Sequence, residues 1–420
     1  MQPLGGGSAQ GGEGRQMILR AHWVVTMEGP PIADGAVWIK GNKIGGVGRL
    51  EELRATNVGS VIDLGECALL PGLINAHCHL EYTDFREKIP ARESFTGWIQ
   101  EINARKAEFA AEDYRASIAR GFAEAASFGT TTLANLEAFP ELLDDQPRPP
   151  LRTWWFGEMI DVRAPVSPEA VYEKMRAAFE RGDDWLGGVG LAPHAPFTAS
   201  RELYAEAARL AARLNFPLTT HLAESREEMA MFRDGGGELF EFMRGIGRPM
   251  DDCGGATPLA RMFELLNERW LVAHLNELTT DDFSRLASGP RFQVVHCPRS
   301  HAYFGHTPFA FAKLRDLGFN ICLGTDSLAS NASLSLFAEM RQLRVVEPAV
   351  SAREVLELVT TNAAAALGQQ NSLGRIRAGY LADLIAVPTA AEEGDVFENV
   401  VAFDGRIDWT MIDGRLPGVA

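Results

Sequence analysis

His77, Cys78 and His79 close an apolar run that begins at Ala68. Side chains two apart on an extended strand point to the same side, so His77 and His79 can grip one metal ion while Cys78 faces away. Neutral imidazole is the commonest metal-ligating side chain. Further groups of suitable type follow downstream, each at the end of an apolar run. They are His194 in Pro193-His194-Ala195-Pro196, His221 and Glu224 in His221-Leu222-Ala223-Glu224, then His274, His296 in His296-Cys297-Pro298, and Asp326 in Gly324-Thr325-Asp326. The chain has nine histidines, and all except His22 fall between His77 and His306.

This set suits hydrolysis. His77, His79 and His221 offer three nitrogen donors and Asp326 an anionic oxygen, a set that fits one Zn2+ or Fe2+ with water in the open position. Such an ion lowers the pKa of its water to roughly 7. Glu224, three residues past His221, is placed to carry a proton to the substrate. His274 is placed to hydrogen-bond the attacking water or to polarise a substituent on the reacting carbon. Any one buried histidine is more often structural than a ligand. Polar groups gathered in one mouth, however, cost free energy that a shared ligand relieves.

The elements that must position these residues are legible as eight apolar runs, each followed by a helical pattern: Ala68–Asn75, Thr131–Glu137, Leu151–Met159, Gly187–Ala192, Phe216–Thr220, Trp270–Ala273, Phe292–Val295 and Phe319–Leu323. Between the fourth and fifth, Leu203, Ala207, Leu210 and Leu214 form a helical stripe with Ser200 as N-cap. Ser351 and Glu354 form a capping box for a further helix that Gly368 ends. Apolar strands without strict alternation, each leading into a helix, predict a parallel sheet buried on both faces. The expected fold is an α/β (β/α)8 TIM barrel over residues 71–374, whose chemistry lies at the strands' C-terminal ends. No Gly-x-Gly-x-x-Gly follows the first strand, which disfavours a doubly wound sheet. Short strands at Leu19–Met27, Gly35–Lys40 and Lys43–Val47 return in style at Asp383–Val387, Asn399–Phe403 and Asp408–Ile412. Residues 17–70 and 375–420 are therefore expected to pair into a small discontinuous β-sandwich domain, preceded by a glycine-rich flexible leader, 1–16.

Charge and cysteine usage narrow the class. A formal net charge of −16 argues against nucleic acid and anionic membrane partners. The five cysteines form no Cys-x-x-Cys pair and sit mostly in apolar runs, so they read as reduced thiols in a reducing, cytoplasmic setting. No apolar stretch is long enough to span a bilayer.

Four segments, in order, are similar to the amidohydrolase superfamily. They are Pro71-Gly72-Leu73-Ile74-Asn75-Ala76-His77-Cys78-His79, His221-Leu222-Ala223-Glu224, Gly324-Thr325-Asp326-Ser327, and Gly374-Arg375-Ile376-Arg377-Ala378-Gly379-Tyr380-Leu381-Ala382-Asp383-Leu384. Binuclear members carry a carboxylated lysine at the end of the fourth barrel strand. Here that exit reads Leu191-Ala192-Pro193-His194, so a mononuclear site is implied. His-x-x-Glu followed by His274 resembles the cytosine, guanine and adenosine-type deaminases. That resemblance implies that Glu224 protonates a ring nitrogen, Asp326 takes the water's proton, His274 stabilises the tetrahedral adduct and His194 faces substrate. Cys297-Pro298-Arg299-Ser300-His301, with His79-Leu80-Glu81-Tyr82 and Phe95-Thr96-Gly97-Trp98-Ile99, looks most like aminodeoxyfutalosine deaminases of menaquinone biosynthesis. Many of those have Ser-Asn where this chain has Ser300-His301. The same metal chemistry also serves chlorohydrolases and cyclic amide hydrolases.

Glu81, Arg299 and His301 are expected as substrate contacts beside His194. Phe95 and Trp98 read as packing rather than a lid, Trp154-Trp155 as core, and Asp144-Asp145 as a solvated turn. The expected partner is a small heterocycle, and because barrels of this kind often dimerise, a homodimer is expected.

Overall fold

The computed structural model describes residues 16–90, 94–182, 184–389 and 395–416. The leader expected over 1–16 lies outside these except for Gln16, which opens β1.

Two sheets organise the chain. The first has seven strands in the order β16-β15-β5-β1-β2-β3, with β4 paired to β1. Its N-terminal members are β1 (Gln16–Val24), β2 (Ile32–Lys40), β3 (Lys43–Arg49), β4 (Ser60–Asp63) and β5 (Cys67–Pro71). Its C-terminal members are β15 (Leu384–Pro388) and β16 (Trp409–Met411), with β15 antiparallel to β5. The second sheet is parallel and curled, in the order β13-β12-β11-β10-β9-β8-β7-β6-β14. It comprises β6 (Leu73–His79), β7 (Thr130–Glu137), β8 (Arg152–Met159) and β9 (Gly187–Pro193). It continues with β10 (Leu218–Leu222), β11 (Trp270–His274), β12 (Gln293–His296), β13 (Asn320–Leu323) and β14 (Asp326–Ser327). β13 lies on β12, and two residues later β14 pairs with β6, so the sheet curls back toward its first strand as in a TIM-like barrel. All residues of β6, β7, β10 and β11 are buried, which explains why none of them alternates between an apolar and a solvent-facing side.

Three expectations need correction. The run Ala68–Asn75 is not one strand: β5 belongs to the first sheet and β6 to the second, parted at Gly72. A Cβ there would lie 2.1 Å from Thr131 Oγ1, so only glycine lets the chain pass from sheet to sheet. Asn399–Phe403 is not a strand; Val396–Ala402 is helical, capped by Asp395. Its buried residues Val396, Phe397, Val400 and Val401 follow a helical spacing, not alternation. The helix that opens at the Ser351 capping box ends at Leu358. The Val359 carbonyl accepts from Ile74 N at 2.8 Å, and a second helix, Thr361–Ala366, runs up to Gly368. No helix among the described residues is long and apolar enough to cross a membrane.

Asp383, from the Leu381-Ala382-Asp383-Leu384 segment, joins the two sheets. Its carboxylate accepts from Arg152 Nε at 2.8 Å and Arg152 Nη2 at 3.2 Å, and from Asp413 N at 2.7 Å. Both side chains of the ion pair are nearly fully buried. Removing one partner of a buried pair leaves an uncompensated charge, at a cost of about 3–5 kcal/mol. Arg152→Ala should lower unfolding stability by that order in a denaturant titration; an unchanged midpoint would show that the junction does not depend on the pair.

Candidate active site

A cavity of ≈ 630 Å³ opens at the C-terminal ends of the curled sheet, its floor lined by His79, His194, His221, Glu224, His274 and Asp326. His77 lies beneath them with no solvent exposure. The strand exits deliver these groups through unusual backbone: Ala223, His274, Leu275 and Asp326 all have positive φ, between 51° and 75°. Non-glycine residues in that region cost on the order of 1–3 kcal/mol each. Such strain persists where the surrounding structure over-determines it.

Hydrogen bonds fix what each group can do. His221 Nδ1 faces the His194 carbonyl at 2.9 Å. A carbonyl only accepts, so Nδ1 carries the proton and the Nε2 lone pair is left toward the cluster. His79 Nε2 lies 3.3 Å from His221 Nε2. Asp326 Oδ1 lies 3.9 Å from both His77 Nε2 and His79 Nε2. Ser300 Oγ donates to Asp326 Oδ2 and Ser327 N to Oδ1, each at 2.7 Å. Burial raises the Asp326 carboxyl, but the imidazoles of His77, His79 and His221 outweigh it and hold it below its usual range. Burial, then neighbouring imidazoles, drives His77 and His274 well down, so both rings are neutral. Glu224 goes the other way: burial, then the Asp326 charge, lifts it well above the carboxylate range. It lies 3.7 Å from His274 Nε2.

The donor set fits a divalent ion. Both ring nitrogens of His77, Nδ1 of His79 and Nε2 of His274 are buried with no hydrogen-bond partner among the described residues. Ligand atoms of His77, His79 and Asp326 lie within 4.8 Å of one another, as do those of His77, His221 and His274. Neutral nitrogens and one carboxylate, unsatisfied and converging, are what a cation such as zinc requires.

Not every expected contact reaches the cavity. Glu81 is wholly buried behind His79, its Oε1 3.7 Å from His79 Nδ1. Burial, then Glu158, pushes its carboxyl up to about 8. Arg299 turns to Ser333 Oγ, 2.7 Å from its Nη1. His301 Nε2 donates to the Thr307 carbonyl at 2.8 Å. Both sit on the helix Pro298–Phe304 and are held to neighbouring loops, outside the cavity wall. His296 stacks on Phe309 at 4.0 Å. His194 does line the cavity, its Nδ1 2.6 Å from Thr198 Oγ1. Phe95 and Trp98, expected as packing, also line the wall. Asp144 and Asp145 pair with Arg181 and Arg115 at the surface.

Residues 68–416 match the amidohydrolase family. The chain belongs to that family. Within it the chain falls in the deaminase branch and is a hydrolase of C–N bonds. It is 31% identical over 344 residues to a 5-methylthioadenosine/S-adenosylhomocysteine deaminase of Pyrococcus furiosus, covering 78% of this chain and 76% of the relative. Among solved structures, a zinc-bound adenosine deaminase from Xanthomonas campestris shares 24% identity at a TM-score of 0.81, covering 96% of this chain and 93% of that one. The aminofutalosine deaminase of Helicobacter pylori, with methylthio-coformycin, shares 20% at 0.84, covering 95% and 99%. At those identities the two structures speak for the fold.

One positioning group escaped the sequence reading. Glu228 is fully buried, and its two oxygens accept from Ala223 N at 3.2 Å and Glu224 N at 2.7 Å. Asn276 Nδ2 holds the Glu224 carbonyl at 3.0 Å. The signal was present as Ser225-x-x-Glu228, a capping-box spacing. Ser225 does cap the helix Arg226–Met229, but the glutamate reaches past it to the strained turn. Glu228→Gln puts an NH2 group against one of those N–H donors and should shift Glu224. A misplacement of about 1 Å costs roughly 10²-fold in rate, so kcat should fall by that order with metal content unchanged. Unaltered kcat would remove Glu228 from this role.

Proposed function

We propose that the chain is a hydrolytic deaminase of an adenosine-type nucleoside altered at its 5′ position, such as 5′-methylthioadenosine or S-adenosylhomocysteine. The observation that carries this reading is geometric: Glu224 and Asp326 share one cavity floor with the converging imidazoles, where burial lifts the Glu224 carboxyl while that of Asp326 is held below its usual range. Two acids pushed apart in this way can serve as proton donor and proton acceptor at the same pH.

His77, His79, His221 and Asp326 are the residues that would hold one divalent ion, zinc or iron. When bound, that ion supplies Lewis-acid activation of a water. Asp326 accepts a proton from the attacking water. Glu224 donates its proton to the ring nitrogen beside the attacked carbon, which moves electron density off that carbon. His274, neutral and with Nε2 unpartnered, hydrogen-bonds the incoming oxygen. His194, with Nδ1 engaged by Thr198, turns its other nitrogen to the substrate. The proton taken up by Asp326 passes to the departing amine, which leaves as ammonia, and the remaining proton of the new hydroxyl returns to Glu224 as water's oxygen becomes the carbonyl. The absence of a lysine at the end of β9, where the chain reads Pro193-His194, supports a single ion.

The test is ammonia release by the metal-loaded protein from adenosine, 5′-methylthioadenosine, S-adenosylhomocysteine and 6-amino-6-deoxyfutalosine. At least one should be turned over, and Glu224→Gln should lower kcat by about 10²–10⁴-fold with metal retained. Chloride release from chlorotriazines with no ammonia from any nucleoside would overturn the reading.

A further inference from the structure

Two charged side chains of the cavity have no part in the scheme above. Lys106 ends the helix Phe95–Lys106, and Glu158 lies near the end of β8; both line the cavity and are half-buried. Among the described residues neither side chain makes a hydrogen bond or ion pair, and the two are not paired to each other. Lys106 Nζ rests 4.5 Å from the Tyr82 ring centroid. The Tyr82 ring in turn stacks on His79, with centroids 5.9 Å apart, and Glu158 precedes Met159, whose carbonyl accepts from His194 N at 3.1 Å. The remaining charged group of the wall, Arg163, is exposed on the loop after β8.

We propose that Glu158 and Lys106 form a subsite that reads the vicinal sugar hydroxyls of a purine ribonucleoside, an inference that rests on the deaminase reading above. A carboxylate only accepts hydrogen bonds and an ammonium only donates them. Two groups of this kind on one cavity wall, their side chains left unpaired and half-buried, need a ligand that both donates and accepts. A vicinal diol does so with each hydroxyl. An α-amino acid would also satisfy the pair through its ammonium and carboxylate, but depth separates the two. Through Tyr82 and Met159 the pair adjoins His79 and His194 of the floor, where the reacting ring sits, and a sugar is the group attached to that ring. The rest of the wall carries Phe95, Trp98, Phe242, Met243 and Ile246, which suit a 5′ thioether.

The test compares kcat/KM for adenosine and 2′,3′-dideoxyadenosine, which differ in the diol alone, in wild type, Glu158→Gln and Lys106→Met. A site built to hydrogen-bond a hydroxyl rejects the analogue that lacks it by large factors. Wild type should prefer adenosine by about 10²-fold or more, and each variant should reduce that preference at least about tenfold. The preference for S-adenosylhomocysteine over 5′-methylthioadenosine should stay as in wild type. Melting temperature and bound metal are measured alongside, and the second variant stands if the first fails to fold. The subsite is overturned if wild type shows no diol preference, if folded, metal-loaded variants keep it, or if the amino-acid preference collapses instead. Wild-type turnover of nucleosides alongside any of these results leaves the deaminase reading standing. A wild type that deaminates no nucleoside overturns both.

Discussion

Four imidazoles and two carboxyls share one nearly dry floor, and the rest of the structure answers to that crowding. Burying polar groups without partners costs on the order of 1–3 kcal/mol each by mutational measures. The surroundings resolve the crowding rather than dilute it. Burial drives the His77 and His274 rings down, the Asp326 carboxyl is held below its usual range and accepts from Ser300 Oγ and Ser327 N, and the Asp326 charge adds to the burial that lifts Glu224. The left-over lone pairs converge on one point. A cation there relieves the cost, and the strained exits at Ala223, His274 and Asp326 are tolerated because the sheet and the Glu228 and Asn276 contacts hold them.

Above this floor the chemistry changes character. The helix Phe95–Lys106 carries Phe95 and Trp98 to the wall. It is tied down by Phe95 N on Glu227 Oε1 at 2.7 Å and by Trp98 Nε1 on the Ala329 carbonyl at 3.3 Å. Glu227 lies just beyond the strand that supplies His221 and Glu224. The apolar wall and the reacting floor are thus mechanically linked, which suits a site that must exclude water while protons move.

Much of this was legible in the sequence, for definite reasons. The two-residue period of a strand put His77 and His79 on one side and Cys78 on the other, where its thiol sits 3.6 Å from the Ala134 carbonyl. Parallel buried strands announced themselves as apolar runs, and their exits marked where His194, His221, His274 and Asp326 would meet. What was missed depended on contacts far apart in sequence. The division of Ala68–Asn75 depends on Thr131 filling the space beside Gly72. Asn399–Phe403 reads as a strand in the sequence, yet most of it lies in the helix Val396–Ala402, because a short apolar segment does not declare its period. Arg299 and His301 are near Asp326 in fold but are claimed by Ser333 and Thr307. Glu158 and Lys106 carry no local motif and share only the cavity wall.

The central claim is that one ion organises this floor. A crystal grown from metal-loaded protein, with anomalous-difference maps collected on both sides of the zinc and iron absorption edges, tests it most directly. The account predicts a single peak per chain, within bonding distance of His77 Nε2, His79 Nε2, His221 Nε2 and Asp326. Two peaks, or one peak held by other residues with these four unligated, would contradict it.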